Sequence, residues 1–395
     1  MIAEKMKTLV ANNSAVRAMF EEGNRLKGIY GEENVFDFSL GNPNVAPPEA
    51  VREAIYDILE NENPNHVHGY MSNAGFESTR FAIAESLNRR FGTSYTENNI
   101  IMSVGAGSAL NVILKTILNP GEEVVTFAPY FLEYGGYVRN YDGKLVVAPP
   151  DTQTFQPNLE ELDRLINENT RAVIINTPHN PTGVIYSEET LKKLASILTK
   201  HEDKNGSPIF LISDEPYREL AYDGKTVPWV PDFYHNTFVG YSYSKSLSLP
   251  GERIGYIVIP EEMEESETVF TAASIATRVC GMVNAPSLMQ LVIERCVDEK
   301  CDVGYYDRNR NALYDGLTGL GFSCVRPEGA FYLWMKSPVP DEKAFVEAAK
   351  EFNILMVAGS SFACPGYVRL AYCVSFETIM GSMDAFAKLA EKYSL

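Results

Sequence analysis

Short apolar runs alternate with amphipathic stretches along the middle of the chain. Near-continuous apolar runs are typical of strands that are buried on both faces, and their alternation with helical segments predicts a mainly parallel α/β sheet. A polar turn follows each run. The runs are IIMSV (100–104), EVVTF (123–127), RAVIIN (171–176), PIFLIS (208–213), TFVGY (237–241) and IGYIVI (254–259).

The pattern changes near residue 283, which predicts a second and smaller α+β unit. A long helical stretch over roughly 285–318 precedes the shorter strand-like runs FYLWM, ILMVA and YVRLAY, and further helices are predicted near Asp341 and Ser375. The residues before the repeating α/β region are expected to pack with this unit. We therefore predict a large domain over 46–282 and a small domain built from 1–45 and 283–395.

Composition and charge exclude several classes of protein. The 395 residues are 45% apolar, which is enough for a sizeable core, and the net charge of -18 argues against nucleic acid and anionic membranes as partners. The six cysteines show no zinc-binding spacing, so no metal site is predicted. No run is long enough for a membrane span, and residues 1–14 lack the apolar core of a signal peptide. We therefore expect a cytoplasmic protein.

The segment SYSKSLSLPGERIGY (242–256), called the lysine loop below, places a lysine between two predicted buried strands. A charged amine is costly to bury, whereas a desolvated lysine is a nucleophile toward carbonyl groups. Ser242, Ser244 and Arg253 in the same loop are residue types that bind phosphate. Taken alone, the segment is equally consistent with an exposed loop whose Lys245 points into water.

Two further motifs directly follow predicted strands, where ligands bind in α/β sheets. The motif SDEPYREL (213–220) offers Asp214, either as a helix N-cap or as a carboxylate facing a ligand, and Tyr217 three residues later. The motif NTPHNPTG (176–183) presents the amide of Asn180 on a proline-rich loop, although an ordinary Asn-Pro turn is also consistent.

The segment SVGAGSAL (103–110) joins a predicted strand to a predicted helix, and backbone N–H groups at such a helix start bind anions. It lacks the spacings of dinucleotide loops and P-loops, which also argues against a nucleotide-binding dehydrogenase. Together the four segments offer a phosphate site, an amine, a carboxylate, a phenol and an amide. Pyridoxal 5'-phosphate needs this set, because a lysine forms an imine with its aldehyde and a carboxylate keeps its ring nitrogen protonated.

The ordered motifs GAGSAL, APYF, NPTG, SDEPY, SYSKSLSLPGERIGY and YVRLAY resemble those of the aspartate aminotransferase family. This family belongs to the class I/II aminotransferases, which are fold type I pyridoxal phosphate-dependent enzymes. The resemblance runs from LGNP (40–43) to YVRLAY (367–372) and implies a seven-stranded sheet sandwiched by helices. It also implies amino group transfer between an L-amino acid and a 2-oxo acid via an internal aldimine at Lys245, with aspartate or a related amino acid among the candidate substrates.

The resemblance further implies a role for each matching residue. Lys245 would hold the cofactor and move the proton, Asp214 would pair with the ring nitrogen, and Tyr217 would contact the ring oxygen. Asn180 would contact the same oxygen and lie beside the substrate. The phosphate would be held by residues of the glycine-rich turn and the lysine loop, namely Gly105, Ala106, Gly107, Ser242, Ser244 and Arg253.

The remaining matches concern the ring face, the substrate and the subunit interface. Phe131 of APYF would stack on the ring, although an ordinary core phenylalanine is the alternative. Arg369 would bind the substrate α-carboxylate, assisted by Gly41. Tyr70 matches a tyrosine that reaches the cofactor phosphate of the partner subunit, which implies a homodimer with shared active sites.

One departure leaves the substrate side chain open, because some aspartate-specific members carry lysine where this chain has Gly107. The closest alternative activity is a pyridoxal phosphate-dependent C–S β-lyase, which uses the same site residues. The alternative of another class is a non-enzymatic regulator built on an aminotransferase-like domain. Such regulators carry an N-terminal DNA-binding region, whereas only about 40 residues precede LGNP here.

Overall fold

The computed structural model describes residues 2–3, 6–7, 10 and 15–395, so part of the predicted segment 1–45 and most of the N-terminal stretch 1–14 lie outside the described residues. The α-helices of the described part are Ala15–Tyr30, Glu49–Asn61, Pro64–Val67, Glu77–Phe91, Ala106–Ile117, Glu133–Asn140, Leu159–Leu165, Glu188–Asn205, Tyr243–Ser246, Ser266–Val279, Ser287–Cys296, Val303–Gly319, Glu342–Lys350 and Phe376–Lys392. The strands β1 to β13, in chain order, are Phe36–Asp37, Ile100–Ser103, Glu123–Phe127, Lys144–Ala148, Thr170–Asn176, Phe210–Asp214, Thr237–Ser242, Gly255–Val258, Cys324–Val325, Tyr332–Lys336, Ile354–Leu355, Val357–Ala358 and Tyr367–Ala371.

A seven-stranded sheet with the order β2-β8-β7-β6-β5-β3-β4 forms the centre of the fold. Strand β8 runs in the direction opposite to that of the other six strands, which all run the same way. The prediction of a mainly parallel, seven-stranded sheet is therefore confirmed. Strands β2, β6, β7 and β8 are buried along their whole length, as their apolar sequences predict. The apolar pattern of the sequence did not predict β4, an edge strand whose first four residues are exposed or partly exposed.

The order of the strands brings the predicted polar motifs to one edge of the sheet. The neighbouring strands β5, β6 and β7 end at Asn176, Asp214 and Ser242, and Asn176 pairs in register with Asp214. Because the carboxyl ends of parallel strands share one edge, side chains far apart in sequence converge there.

Two smaller sheets contain the remaining strands. An antiparallel sheet has the order β12-β13-β10-β9, and β1 pairs in parallel with β11. The β1–β11 pair joins Phe36 to Ile354, so this part of the N-terminal segment packs with the C-terminal third of the chain, as expected. The domain boundaries at 45/46 and 282/283 stay a prediction.

The predicted long helical stretch over 285–318 is wrong as one continuous element, because the structure has two helices, Ser287–Cys296 and Val303–Gly319. The break lets Cys301 contact the lysine loop. Its backbone N–H donates to the carbonyl of Ser246 at 2.7 Å, and its thiol donates to the carbonyl of Lys245 at 3.4 Å. The helices predicted near Asp341 and Ser375 are confirmed, and both residues are N-caps whose side chains accept backbone N–H groups. Ser187 caps the helix Glu188–Asn205 in the same way.

None of the described helices carries a continuous apolar stretch of the length that crossing a bilayer requires.

Candidate active site

A cavity of about 370 Å³ opens at the carboxyl ends of β5, β6 and β7. Residues of the four-stranded sheet, including Tyr332 and Arg369, complete its walls. The cavity brings together most of the residues that the sequence singled out, namely Gly41, Ala106, Gly107, Phe131, Asn180, Asp214, Tyr217, Ser242, Ser244, Lys245, Arg253 and Arg369. Gly105 precedes this wall as the N-cap of the helix Ala106–Ile117, whereas Tyr70 is not part of the cavity and is 93% exposed.

Lys245 lies on the short helix Tyr243–Ser246 that follows β7, and its side chain enters the cavity. Its ammonium donates to the carbonyl of Gly41 at 2.8 Å and lies 5.1 Å from the centre of the Phe331 ring. Burial lowers the pKa of Lys245 to about 8, and the positive charges of Arg253 and Arg369 contribute to this lowering. The neutral, nucleophilic amine is therefore accessible near physiological pH.

Asp214 ends β6 and is 5% exposed. One carboxylate oxygen, Oδ2, accepts a hydrogen bond of 2.6 Å from the hydroxyl of Tyr134. The other, Oδ1, is buried without a hydrogen-bond partner among the described residues. Burial raises the pKa of Asp214 to about 7, against the opposing effect of the Tyr134 hydrogen bond. A buried acceptor without a donor is costly, so this site is suited to a ligand that supplies an N–H group.

The raised pKa of Asp214 predicts a pH-dependent effect of Asp214→Asn on stability in the ligand-free protein. The folded-state pKa of about 7 lies above the reference value of 3.8, so ionisation of Asp214 destabilises the fold progressively as pH rises between these values. Asparagine removes this penalty and still accepts from Tyr134. We expect the difference in unfolding free energy between the variant and wild type to change by about 2–4 kcal/mol in favour of the variant as the pH rises from 5 to 8. Urea unfolding at both pH values measures this change.

The exposed Asp203 provides the matched control, and Asp203→Asn should shift the unfolding free energy equally little at both pH values. An Asp214→Asn effect that is the same at pH 5 and pH 8 would contradict the raised pKa.

The glycine-rich turn and the lysine loop form a polar corner of the cavity. Gly105 adopts a φ of +80°, and a methyl group built on it would lie 2.7 Å from the guanidinium of Arg253. Arg253 donates to the carbonyl of Val104 at 3.3 Å and to the hydroxyl of Ser244 at 3.4 Å. The hydroxyl groups of Ser242 and Ser244 are 2.7 Å apart. Since the first N–H groups of a helix lack intrahelical acceptors, this corner fits a phosphate dianion.

A chain of hydrogen bonds connects the strand end at Asn176 to Arg369. The side chain of Asn176 donates to the Asp214 carbonyl at 2.7 Å and accepts from the backbone N–H of Asn180 at 2.7 Å. Arg369 donates to Asn180 Oδ1 at 3.2 Å and to the Ser39 carbonyl at 2.7 Å. This arginine is 4% exposed, and its Nε has no hydrogen-bond partner among the described residues. Arg369 is therefore a fixed, buried cation with an N–H donor at Nε that can still bind a ligand, and this suits a carboxylate.

Aromatic side chains hold Arg369 in this orientation. Its guanidinium lies 4.4 Å from the ring centre of Tyr332 and 4.8 Å from that of Phe362. The Tyr332 hydroxyl lies 2.9 Å from that of Tyr217 and occupies the space beside Gly41, where a Cβ atom would be only 2.0 Å away. Glycine at position 41 is therefore required by the close approach of Tyr332.

The sequence did not predict a role for Tyr332 and Tyr137, which line the cavity, or for Tyr134, whose hydroxyl donates to Asp214. Tyr134 follows Phe131 by three residues in APYFLEY, a spacing that places two side chains on one face of a helical turn. That spacing was the available signal for Tyr134, because its contact with Asp214 spans 80 residues of sequence. Tyr332 stands in FYLWM, where it resembles an ordinary strand residue.

The sequence profile of the family described as "Aminotransferase class I and II" matches residues 33–385. The chain belongs to this family. This aminotransferase is 32% identical over 356 residues to the aspartate/prephenate aminotransferase of Thermus thermophilus, covering 89% of this chain and 90% of the relative.

Solved structures agree with this assignment. An aminotransferase from Eubacterium rectale is 45% identical, with a TM-score of 0.98 over 100% of both chains. The aspartate aminotransferase from Thermus thermophilus with maleate is 28% identical, with a TM-score of 0.86 over 98% of this chain and 99% of that one. The protein is therefore an enzyme that transfers an amino group between an amino acid and a 2-oxo acid, and its family is known to use pyridoxal 5'-phosphate.

Proposed function

We propose that this aminotransferase binds pyridoxal 5'-phosphate covalently through Lys245 and exchanges amino groups between an L-amino acid and a 2-oxo acid in the cavity. The observation that carries the proposal is that one cavity contains both the amine of Lys245 and the buried carboxyl of Asp214, whose Oδ1 has no hydrogen-bond partner among the described residues. Burial lowers the pKa of the first group and raises the pKa of the second. When bound, the cofactor supplies an electron-accepting ring that weakens the Cα–H bond of the amino acid.

The residues present fit this cofactor at both of its ends. The unpartnered Oδ1 of Asp214 would accept the N–H of the pyridinium ring, which keeps that nitrogen protonated. Gly105, Ser242, Ser244 and Arg253 would hold the phosphate at the start of the helix Ala106–Ile117. Tyr217 and Asn180 would donate to the ring oxygen, and Phe131, which is partly buried, would cover one ring face.

The substrate would be oriented by Arg369, which receives the α-carboxylate with its free donor capacity. Gly41 borders the same region, and its carbonyl accepts from the lysine amine. Once its amine is neutral and free of the cofactor, Lys245 would take the proton from the substrate Cα onto its Nζ. It would then deliver that proton to the former aldehyde carbon of the cofactor. A pKa near 8 suits this exchange, since general acid–base catalysis is most efficient when the pKa is close to the working pH.

We further propose a homodimer in which Tyr70 reaches the cofactor phosphate of the partner subunit. Tyr70 is 93% exposed, and the helix Ser266–Val279 exposes Ile275 at 45% and Val279 at 58%. Large exposed apolar side chains of this kind favour burial in an interface. Analytical ultracentrifugation should show a dimer, and a monomer that is fully active would contradict the shared site.

A pair of glycine variants tests whether the polar corner of the cavity binds the cofactor phosphate. Gly105 and Gly121 both adopt positive φ, so alanine imposes similar backbone strain of about 1 kcal/mol at each. Only at position 105 does the added methyl group crowd Arg253, whereas nothing lies within 4 Å at position 121. We expect Gly105→Ala to weaken cofactor affinity by at least about tenfold, measured by titration of the apoenzyme, with Gly121→Ala unchanged. Equal effects at both positions would contradict the assignment of this corner.

A substrate screen tests the proposed activity itself. The purified holoenzyme is assayed with a panel of amino acids against 2-oxoglutarate and pyruvate as acceptors. We expect transfer with at least one pair. Absence of turnover with every pair would contradict the proposal, as would release of pyruvate and ammonia from β-substituted amino acids with no transfer.

A further inference from the structure

The cavity wall beside Gly107 carries a negative charge. Glu133, the first residue of the helix Glu133–Asn140, lines the cavity and is exposed. Its carboxylate forms no hydrogen bond or ion pair with any residue in the described part of the chain. Its charge is felt within the site, because the pKa of Tyr137 is raised to about 12, first by burial and then by Glu133 and Asp214.

Gly107, Tyr137 and Glu133 form one continuous part of this wall. A Cβ atom on Gly107 would lie 2.9 Å from the Tyr137 hydroxyl, so the tyrosine fills the space that a side chain at position 107 would occupy. The neighbouring Leu132 is 39% exposed and also lines the cavity. A substrate side chain that extends toward this wall therefore meets apolar groups, a phenol and a free carboxylate.

Every cation that lines the cavity already has a role under the proposed function. Among the described lining residues the cations are Lys245, Arg253 and Arg369. Lys245 holds the cofactor, Arg253 holds its phosphate and Arg369 holds the α-carboxylate. A second carboxylate on the substrate would be left without a positive partner among the lining residues of its own subunit and would face Glu133, an arrangement that lowers affinity by like-charge repulsion.

We propose that Glu133 makes this aminotransferase select against substrates with a side-chain carboxylate. Its amino donors then have uncharged or cationic side chains. Because donor and acceptor occupy the same cavity in turn, its acceptors are monocarboxylic 2-oxo acids of the pyruvate type. The proposal rests on the proposed function and narrows it, since the names of the relatives make aspartate the first substrate to test.

Isosteric substrates isolate the effect of charge from that of size. With the holoenzyme, we compare kcat/KM for the amino-acid half-reaction of asparagine with that of aspartate, and of glutamine with that of glutamate. We expect the amide to exceed the acid by at least about tenfold in both pairs. A wild-type enzyme that prefers the acid in either pair would overturn the proposal without any variant.

Two variants of Glu133 test the residue itself. Glu133→Gln should reduce the amide-to-acid ratio by about tenfold, chiefly by raising kcat/KM for the acids, and Glu133→Lys should reverse the preference. Glu377→Gln is the matched control, because it removes the same charge from an exposed position in the first turn of the helix Phe376–Lys392, outside the cavity lining, and should leave the ratio unchanged.

The outcomes separate this proposal from the proposed function. Half-reactions that proceed with an unchanged ratio in both Glu133 variants would overturn the role of Glu133 and leave the cofactor chemistry intact. No half-reaction with any amino acid would overturn the proposed function, and this proposal with it.

Discussion

Lys245→Arg is expected to lower kcat by about 10⁴-fold with the best substrate pair. Arginine keeps a positive charge in the cavity, but its guanidinium stays protonated and is a poor nucleophile. The variant therefore loses both the covalent bond to the cofactor and the base that moves the Cα proton. A coupled assay of 2-oxo acid formation measures the loss, and folding is checked by the unfolding transition.

Lys343→Arg is the matched control, because Lys343 is exposed on the helix Glu342–Lys350. It should retain wild-type kcat within about twofold, as expected for a surface substitution that makes no contact with the cavity. A Lys245→Arg enzyme that keeps a tenth or more of wild-type kcat would show that another group performs the proton transfer.

The second large effect concerns Arg369. We expect Arg369→Gln to lower kcat/KM by about 10³-fold for every amino acid, because the α-carboxylate would enter a buried site without its charged partner. The same variant should weaken cofactor affinity far less, because Arg369 contacts Asn180 and Ser39 and is not part of the polar corner that would hold the phosphate.

Arg310 provides the control for the loss of a buried guanidinium. It is 1% exposed and pairs with Asp223 at 2.7 Å. Arg310→Gln should lower the free energy of unfolding and leave kcat/KM per folded molecule near that of wild type. If the two variants lose kcat/KM equally, the role of Arg369 is structural and another group binds the carboxylate.

The sequence predicts those parts of the site that follow from strand ends. Asp214 and Ser242 each end a buried strand, and Lys245 comes three residues after Ser242. Such strand ends can be predicted from the sequence, because a continuous apolar run ends abruptly in polar residues. The parallel arrangement of the strands then implies that their ends converge, and the cavity contains these residues.

Contacts between distant elements are what the sequence does not reveal. The hydrogen bond from Tyr134 to Asp214 depends on how the helix Glu133–Asn140 packs on the sheet, which local periodicity does not encode. The sequence does not predict the helix break before Val303 for a similar reason. The break allows Cys301 to contact the lysine loop, a contact between distant segments. Glu133 appears as an ordinary charged residue in a helical first turn until the cavity gives it a function.

Tyr70 shows a different limit. Its proposed role requires a second copy of the chain, so neither the pattern of one sequence nor the fold of one subunit tests it.

The covalent role of Lys245 is tested most directly by locating the cofactor on the chain. The holoenzyme is reduced with borohydride, digested and analysed by mass spectrometry, with Lys245→Ala treated in parallel. We predict a reduced pyridoxal phosphate adduct on the peptide that contains Lys245 and no adduct in the variant. An adduct on a different lysine, or full activity and an unchanged adduct in Lys245→Ala, would contradict the account.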